Sequence, residues 1–243
     1  MPEVVKDAAK APRGYSSPKR EAQAAATRAK IAAAALELFV AQGYFHTTVA
    51  DIAAQAEVAV PTVKLVYGTK RALLAAATDF AIKGRLDYRP VVEQEWFKAM
   101  IAAPDAREHL RLQAAGSAQV KARLTPIMEV TRAAAAADPE IAEVWTKNLG
   151  EFYDNQRGTI KALQRKGRLR PGLTEQTATD VLYALNGGTV FQQLVVELGW
   201  PLERYQHWLA EILIEQLLAP EGSEAKGKAN ASSSSSSSSE SEP

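Results

Sequence analysis

The side chains of this 243-residue chain that could do chemistry are scattered rather than assembled. The histidines His46, His109 and His207 never approach metal-ligand spacing, and the absence of cysteine removes disulfides, thiolate catalysis and cysteine-ligated zinc. Gly68-Thr69-Lys70-Arg71 is too short for a phosphate loop, and there is no nucleophile elbow. Carboxylates are plentiful, but none stands beside a recognisable catalytic partner. The pattern argues against an enzyme and implies no cofactor and no metal. What remains is charge. Residues 1–75 carry an excess of +4, residues 76–220 one of −1 and the tail one of −2. A positive head on a neutral body is compatible with phosphate binding at one end. A second basic group, Lys161, Arg165, Lys166, Arg168 and Arg170, is better read as the close of a long helix, where cations suit the dipole.

The elements that must carry these groups read as all-α. Alanine and leucine dominate, and no β-branched run alternates with polar residues long enough to make a strand. Prolines mostly precede fresh amphipathic patterns, where a missing N–H costs least. The periodicity predicts helices near 24–42, 49–56, 60–66, 70–86, 91–103, 105–123, 126–136, 139–167, 174–199 and 202–218. Residues 1–20, polar and basic, and 220–243, with a serine run from Ser232 to Ser239, are expected to be disordered. Between them the reading places a DNA-binding domain at 21–70 and a larger helical domain at 71–219. No apolar run reaches the length of a membrane span and the N-terminus lacks an uninterrupted apolar segment, so a cytoplasmic protein without a membrane partner is expected.

Within the head, Ile31, Ala35, Leu38 and Phe39 form the buried stripe of a first helix that ends at Gln42-Gly43. Thr48 is placed to cap a second helix, with Asp51 at N3 in a loose capping box. Val49, Ile52, Ala53 and Ala56 form that helix's inner face, and Ala53 and Ala56 permit a close crossing. A turn at Glu57-Val58 leads to a third helix starting around Ala59–Pro61 and stopping at Gly68. Two short helices joined this way make a helix-turn-helix. The spacing turns Val63 and Tyr67 inward with Val58; Val60, Pro61, Thr62 and Leu65 face away, with Lys64 at the border.

The order Gly43-Tyr44, Thr47-Thr48-Val49, Asp51-Ile52-Ala53, Val58, Pro61-Thr62-Val63, Tyr67, Lys70 and Leu73-Leu74 resembles the TetR family of bacterial transcriptional regulators. The resemblance implies a repressor that binds a palindromic double-stranded DNA operator as a homodimer and is released by a small-molecule effector. It implies that Thr47, Thr48 and Lys70 touch phosphates, and that Val60, Pro61, Thr62, Lys64 and Leu65 face the major groove. Three departures stand out, the first being Lys64, which occupies the position of a common phosphate-binding tyrosine, keeping the charge interaction and losing the ring. Glu57 occupies a turn position where the family usually has glycine, and the reading face lacks Arg, Asn or Gln for a bidentate base contact, leaving thymine methyls as its natural targets.

For the body the resemblance implies an effector cavity among helices at about 91–167, with Trp96, Met100, Gln113, Met128, Arg132, Trp145, Phe152 and Tyr153 as candidate lining. Arg132, alone among alanines, would pair with an anionic effector or lie on the solvent face. Gly187, Gly188, Phe191 and Val195 are candidates for the dimer interface, because mid-helix glycines suit close backbone approach, although a local kink would explain them too. The alternative to DNA binding is a helical interaction or scaffold protein that uses the same three helices for protein contacts.

Overall fold

The computed structural model describes residues 18–84 and 90–220. The expected basic arm therefore lies outside the described residues except for its last three, which open the first helix. The serine-rich tail lies outside them from residue 221 onward.

The architecture is all-α, as expected. Its helices are α1 (Pro18–His46), α2 (Val49–Gln55), α3 (Val60–Tyr67), α4 (Lys70–Lys83), α5 (Glu95–Ala102), α6 (Ala106–Ala135), α7 (Pro139–Lys166), α8 (Glu175–Leu185), α9 (Gly188–Phe191) and α10 (Leu202–Leu217). A 3-10 turn at Val91–Glu93 precedes α5, and a π-helical turn at Gln192–Glu197 continues α9. The antiparallel bridge between Leu169 and Leu218 ties the start of the α7–α8 loop to the end of α10.

Two apolar cores organise these helices. The first gathers Ile31, Ala35 and Phe39 of α1, Ile52 and Ala53 of α2, Val63 of α3 and Leu73, Leu74 and Ala77 of α4, with Ile127 and Ala134 from the far half of α6. The second gathers Leu110, Ala114 and Ala118 from the near half of α6 with Leu163 of α7, Leu182 of α8, Phe191 of α9 and the inner face of α10. Helix α6 is thus a beam common to both cores. Its 30 residues span roughly 45 Å at the α-helical rise.

Three boundaries differ from the sequence expectation. The helices expected at 105–123 and 126–136 are one, with Pro126 inside it. Proline there removes one backbone donor, but Ala122 and Pro126 are both exposed, so water can satisfy the freed carbonyl. The helix expected at 174–199 breaks instead at Asn186-Gly187, and the chain resumes as α9 and the π turn. Finally, α1 begins six residues before the expected start, although Gly43 interrupts it where the cap was placed, with φ 79° and ψ 167°. That left-handed turn suits glycine.

Candidate nucleic-acid interface

Helix α3 sits between two well-capped neighbours. The Thr48 hydroxyl accepts from the Asp51 N–H (3.1 Å), and the Thr48 N–H donates to Asp51 Oδ2 (2.9 Å), which closes the capping box of α2. The Thr48 hydroxyl proton also goes to Asp51 Oδ2 (2.7 Å), and these bonds hold the Asp51 carboxyl below its usual range. Thr69 caps α4 by accepting from the Ala72 N–H at 3.1 Å. The Tyr67 hydroxyl donates to the Arg28 carbonyl (2.9 Å), pinning the end of α3 onto α1. Val63 is buried, and Ala53 and Ala56 are buried where α2 crosses close to α3.

The turn between α2 and α3 holds Glu57 at φ 50°, the one non-glycine residue with positive φ among the described residues. Such a conformation costs roughly 1–2 kcal/mol for an L-residue. The Glu57 side chain reaches back to Lys30 of α1 at 2.6 Å, and that ammonium holds its carboxyl below the usual range.

The outer face of α3 is what this frame presents. Pro61 and Lys64 are exposed, Thr62 is half-buried and Leu65 is 87% exposed. Lys64 forms no ion pair among the described residues, so its charge is available. Val60 departs from the expected outward set, because at the first turn of α3 it leans partly onto the first core. Phe45 lies nearby in sequence, 56% exposed and edge-on to the buried Tyr44 ring. The sequence reading passed over it because, in the corner Gly43-Tyr44-Phe45-His46, no periodicity tells which of two adjacent aromatics points outward.

The residues expected to touch phosphate separate into different roles. Thr47 is fully buried, and its hydroxyl donates to the Gly43 carbonyl (2.8 Å) and accepts from Gln42 Nε2 (3.3 Å). Its side chain leaves the phosphate-facing set, because it closes the α1–α2 corner instead. Thr48 is exposed but already engaged with Asp51, whose carboxylate stands at the same helix end. Lys70 donates to the Thr47 carbonyl (3.0 Å), caps the Tyr44 ring at 4.4 Å and keeps part of its surface. Partial burial lowers its pKa from the usual lysine value.

Arg71, the next residue, turns the other way. Its guanidinium pairs with Asp138 (3.0 Å), the N-cap of α7, and with Glu140 (2.6 Å). Hydrogen bonding to Asp138 raises the guanidinium pKa and lowers that of the carboxyl. At the far end of α4, Arg123 of α6 donates to the carbonyls of Ala81 (3.2 Å) and Ile82 (3.3 Å). Helix α4 is therefore fastened to the body at both ends and, through Lys70, to the corner that precedes α2.

In the body, the candidate pocket residues do not converge on one cavity. Trp96 lies flat against Gly116 of α6, where an added Cβ would fall 2.0 Å from the ring, and Met100 and Gln113 are buried nearby on α5 and α6. Phe152 and Tyr153 instead flank Tyr183 at the α7–α8 seam, each at 5.5 Å between centroids, with the Tyr153 hydroxyl donating to Asp180. Met128 and Trp145 are half-buried elsewhere on α6 and α7. Arg132 lies on the solvent face, its side chain 61% exposed and paired with Glu129 at 2.8 Å on the same helix. It cannot line an interior site in this arrangement. Among the interface candidates, Phe191 is a core residue, ring to ring with Tyr205 at 5.1 Å, and Val195 leans on the same core. A Cβ on Gly187 would meet the carbonyl oxygens of Tyr183 and Ala184, and one on Gly188 would meet nothing. The pair marks a break in the chain's own helix.

Sequence reasoning missed a set of interior polar groups on the body's side of α6: His109, Ser117 and Lys121, with Gln156 of α7, Asn186 and Tyr205. The signal was available, since His109, Gln113, Ser117 and Lys121 repeat every fourth residue on a helix otherwise rich in alanine. No group of three or more metal-ligating side chains occurs among the described residues, and none of the described helices is long and apolar enough to cross a membrane.

Residues 31–77 match the family model for the tetR family of bacterial regulatory proteins. Among curated protein sequences none matches the chain significantly. Solved structures are similar in fold. The transcriptional regulator FadR from Bacillus subtilis, in complex with stearoyl-CoA, is 20% identical with a TM-score of 0.61, covering 76% of this chain and 96% of that one. NalD, the secondary repressor of the MexAB-OprM multidrug efflux pump in Pseudomonas aeruginosa, is 20% identical with a TM-score of 0.60, covering 82% and 100%. The scaffold alternative is not favoured by these likenesses. Residues 31–77 are therefore similar to the tetR family of bacterial regulatory proteins, and the described helices share their fold with solved transcriptional regulators.

Proposed function

We propose that the chain is a cytoplasmic transcriptional repressor without catalytic activity, which binds a palindromic operator as a homodimer and releases it when a small-molecule effector enters the body. The observation that carries this reading is the outer face of α3. Pro61, Lys64 and Leu65 stand exposed on a helix whose inner face and both flanks are fixed. Leu65 and Pro61 would contact thymine methyls in the major groove, and Lys64 would meet phosphate. Lys70 would add charge from the start of α4, and the exposed Thr48 would approach phosphate only where its bond to Asp51 yields.

Two recognition helices about one DNA turn apart, ~34 Å, require a dimer. Exposed apolar side chains on α7 and after α9, among them Val144, Val196 and Leu198, offer the body a surface for it. FadR in complex with stearoyl-CoA supports the effector part of the reading. The route from body to head would run through α6, shared by both cores, and through α4, clamped by Arg71 and Arg123. An effector that favours one placement of these helices would change the spacing of the two α3 helices, with its differential affinity as the driving force.

The test is selection of random duplex DNA by the purified protein at about 0.15 M salt, where counterion competition is felt, followed by sequencing. Enrichment of a palindrome by the parent, and its loss in Lys64→Ala/Leu65→Ala, is expected. No enrichment by the parent would overturn the reading.

A further inference from the structure

The body's interior contains a cation with no counter-charge. The side chain of Lys121 on α6 is buried, leaving the residue 8% exposed. Its ammonium donates to Asn186 Oδ1 (2.5 Å) and Ser117 Oγ (3.2 Å) and stands 5.6 Å from the centre of the Tyr205 ring. It forms no ion pair among the described residues, and burial lowers its pKa to about 7. The acceptors are held in place. Asn186 Nδ2 donates to Gln156 Oε1 (3.2 Å), and Gln156 Nε2 donates to the Phe152 carbonyl (3.3 Å), so the amide oxygen of Asn186 is aimed at Lys121.

A core built only for stability gains nothing from such a group, because taking a charge out of water costs several kcal/mol that neutral oxygens repay only in part. The surroundings carry further marks of an incomplete site. Tyr205 Oη, on the residue whose ring faces Lys121, is buried without a hydrogen-bond partner. Asn186 is also the residue at which α8 breaks, shortly before a π-helical turn, a feature often found at functional sites.

We propose that this junction of α6, α10 and the α8–α9 break is the effector site, and that the effector is an organic anion whose carboxylate or sulfonate pairs with Lys121. The proposal rests on the effector part of the repressor reading and names the chemistry that Arg132, on the solvent face, does not supply. Tyr205 would add a second donor from α10. The apolar core that includes Tyr205, with Ala118, Leu182, Phe191 and Leu209, suits an apolar remainder. A phosphate ester fits less well, because the site has one lysine and neither an arginine fork nor a glycine-rich loop.

The experiment titrates the full chain calorimetrically with dodecanoate, dodecanol and dodecylammonium below their micelle concentrations, three probes with one tail and different head charge. Dodecanoate is expected to bind at least about tenfold more tightly than the other two, a difference of about 1.4 kcal/mol. Lys121→Met should abolish that preference while Lys121→Arg keeps part of it, both variants unfolding as cooperatively as the parent. Equal affinity for the alcohol or the amine, a preference that survives Lys121→Met, or no saturable binding of any probe would overturn the proposal. A parallel assay with the selected operator duplex separates the two readings. Release by dodecanoate in the parent but not in Lys121→Met supports both. Lys121-dependent binding without release leaves the anion site standing and overturns its role as effector site. Absence of operator binding with the charge preference intact overturns the repressor reading alone.

Discussion

The head and the body treat polar groups in opposite ways. Around α2 and α3 the polar side chains that shape the turn are engaged: the buried Thr47 closes the α1–α2 corner, the exposed Thr48 and Asp51 satisfy each other, and the half-buried Lys70 holds the Thr47 carbonyl. In the body, Lys121 lacks a counter-charge and three buried polar atoms lack partners. Engaged groups fix a geometry, which a reading helix needs if two copies are to match a fixed DNA spacing. Unengaged groups cost stability until something binds them, which is what a sensor needs if its ligand is to shift a conformational balance.

That contrast is broken or sharpened most strongly at Lys121. Replacement by methionine removes the buried charge and is expected to stabilise the body by about 1–4 kcal/mol, measured by denaturant unfolding. The gain depends on pH in a defined direction. The folded-state value, about 7, lies below the ordinary lysine value, so between the two the unfolded chain binds a proton that the folded chain does not. Stability of the parent therefore rises with pH across that window, and the advantage of Lys121→Met is full below about pH 7 and shrinks above it. The groups facing Lys121 are Ser117 of α6, Asn186 at the α8 break and the Tyr205 ring of α10. None is a carboxylate, and burial pushes the Tyr205 hydroxyl up, away from this window.

In the head the same kind of substitution should do the reverse. Thr47→Val keeps the shape and removes the hydroxyl from the Gly43 carbonyl, so a loss of about 1–3 kcal/mol is expected in the same unfolding assay. A stabilising Thr47→Val would remove the contrast. His109 gives a smaller, acid-side effect. Burial first, then the neighbouring Lys166, lowers its pKa to about 4, so the folded chain resists a proton that the unfolded chain takes. Stability should fall as pH drops from about 6.5 through about 4, less steeply in His109→Gln. The smallest change is expected for Glu57→Gly, which relieves the left-handed turn but loses an exposed ion pair to Lys30. A slight net gain in melting temperature is the expected sign.

The head was legible in the sequence because its information is local. Capping Thr48, inward Val63 and the small Ala53 and Ala56 each sit at a spacing that a short helix fixes by itself. Thr47 was misjudged because two adjacent threonines look equivalent until the corner at Gly43 turns one inward. The body was less legible because its information is long-range. Arg132 and Lys121 are both cations on the alanine-rich α6, and only the packing of α10 and the α8 break against one face decides which is buried. Pro126 was misread for a related reason, and of the two readings left open for Gly187-Gly188 the local backbone shows the break in the chain's own helix. A proline with an exposed preceding turn need not end a helix, and a glycine pair can break one as readily as bring two backbones together.

The most direct test of the central claim, that the outer face of α3 reads DNA, is the salt dependence of affinity for the selected duplex in parent, Lys64→Ala and Leu65→Ala proteins. Lys64→Ala should weaken binding across sequences and reduce the slope of log affinity against log salt by about one, whereas Leu65→Ala should leave the slope unchanged and relax sequence preference. Parent-like slopes and preferences in both variants would contradict the account.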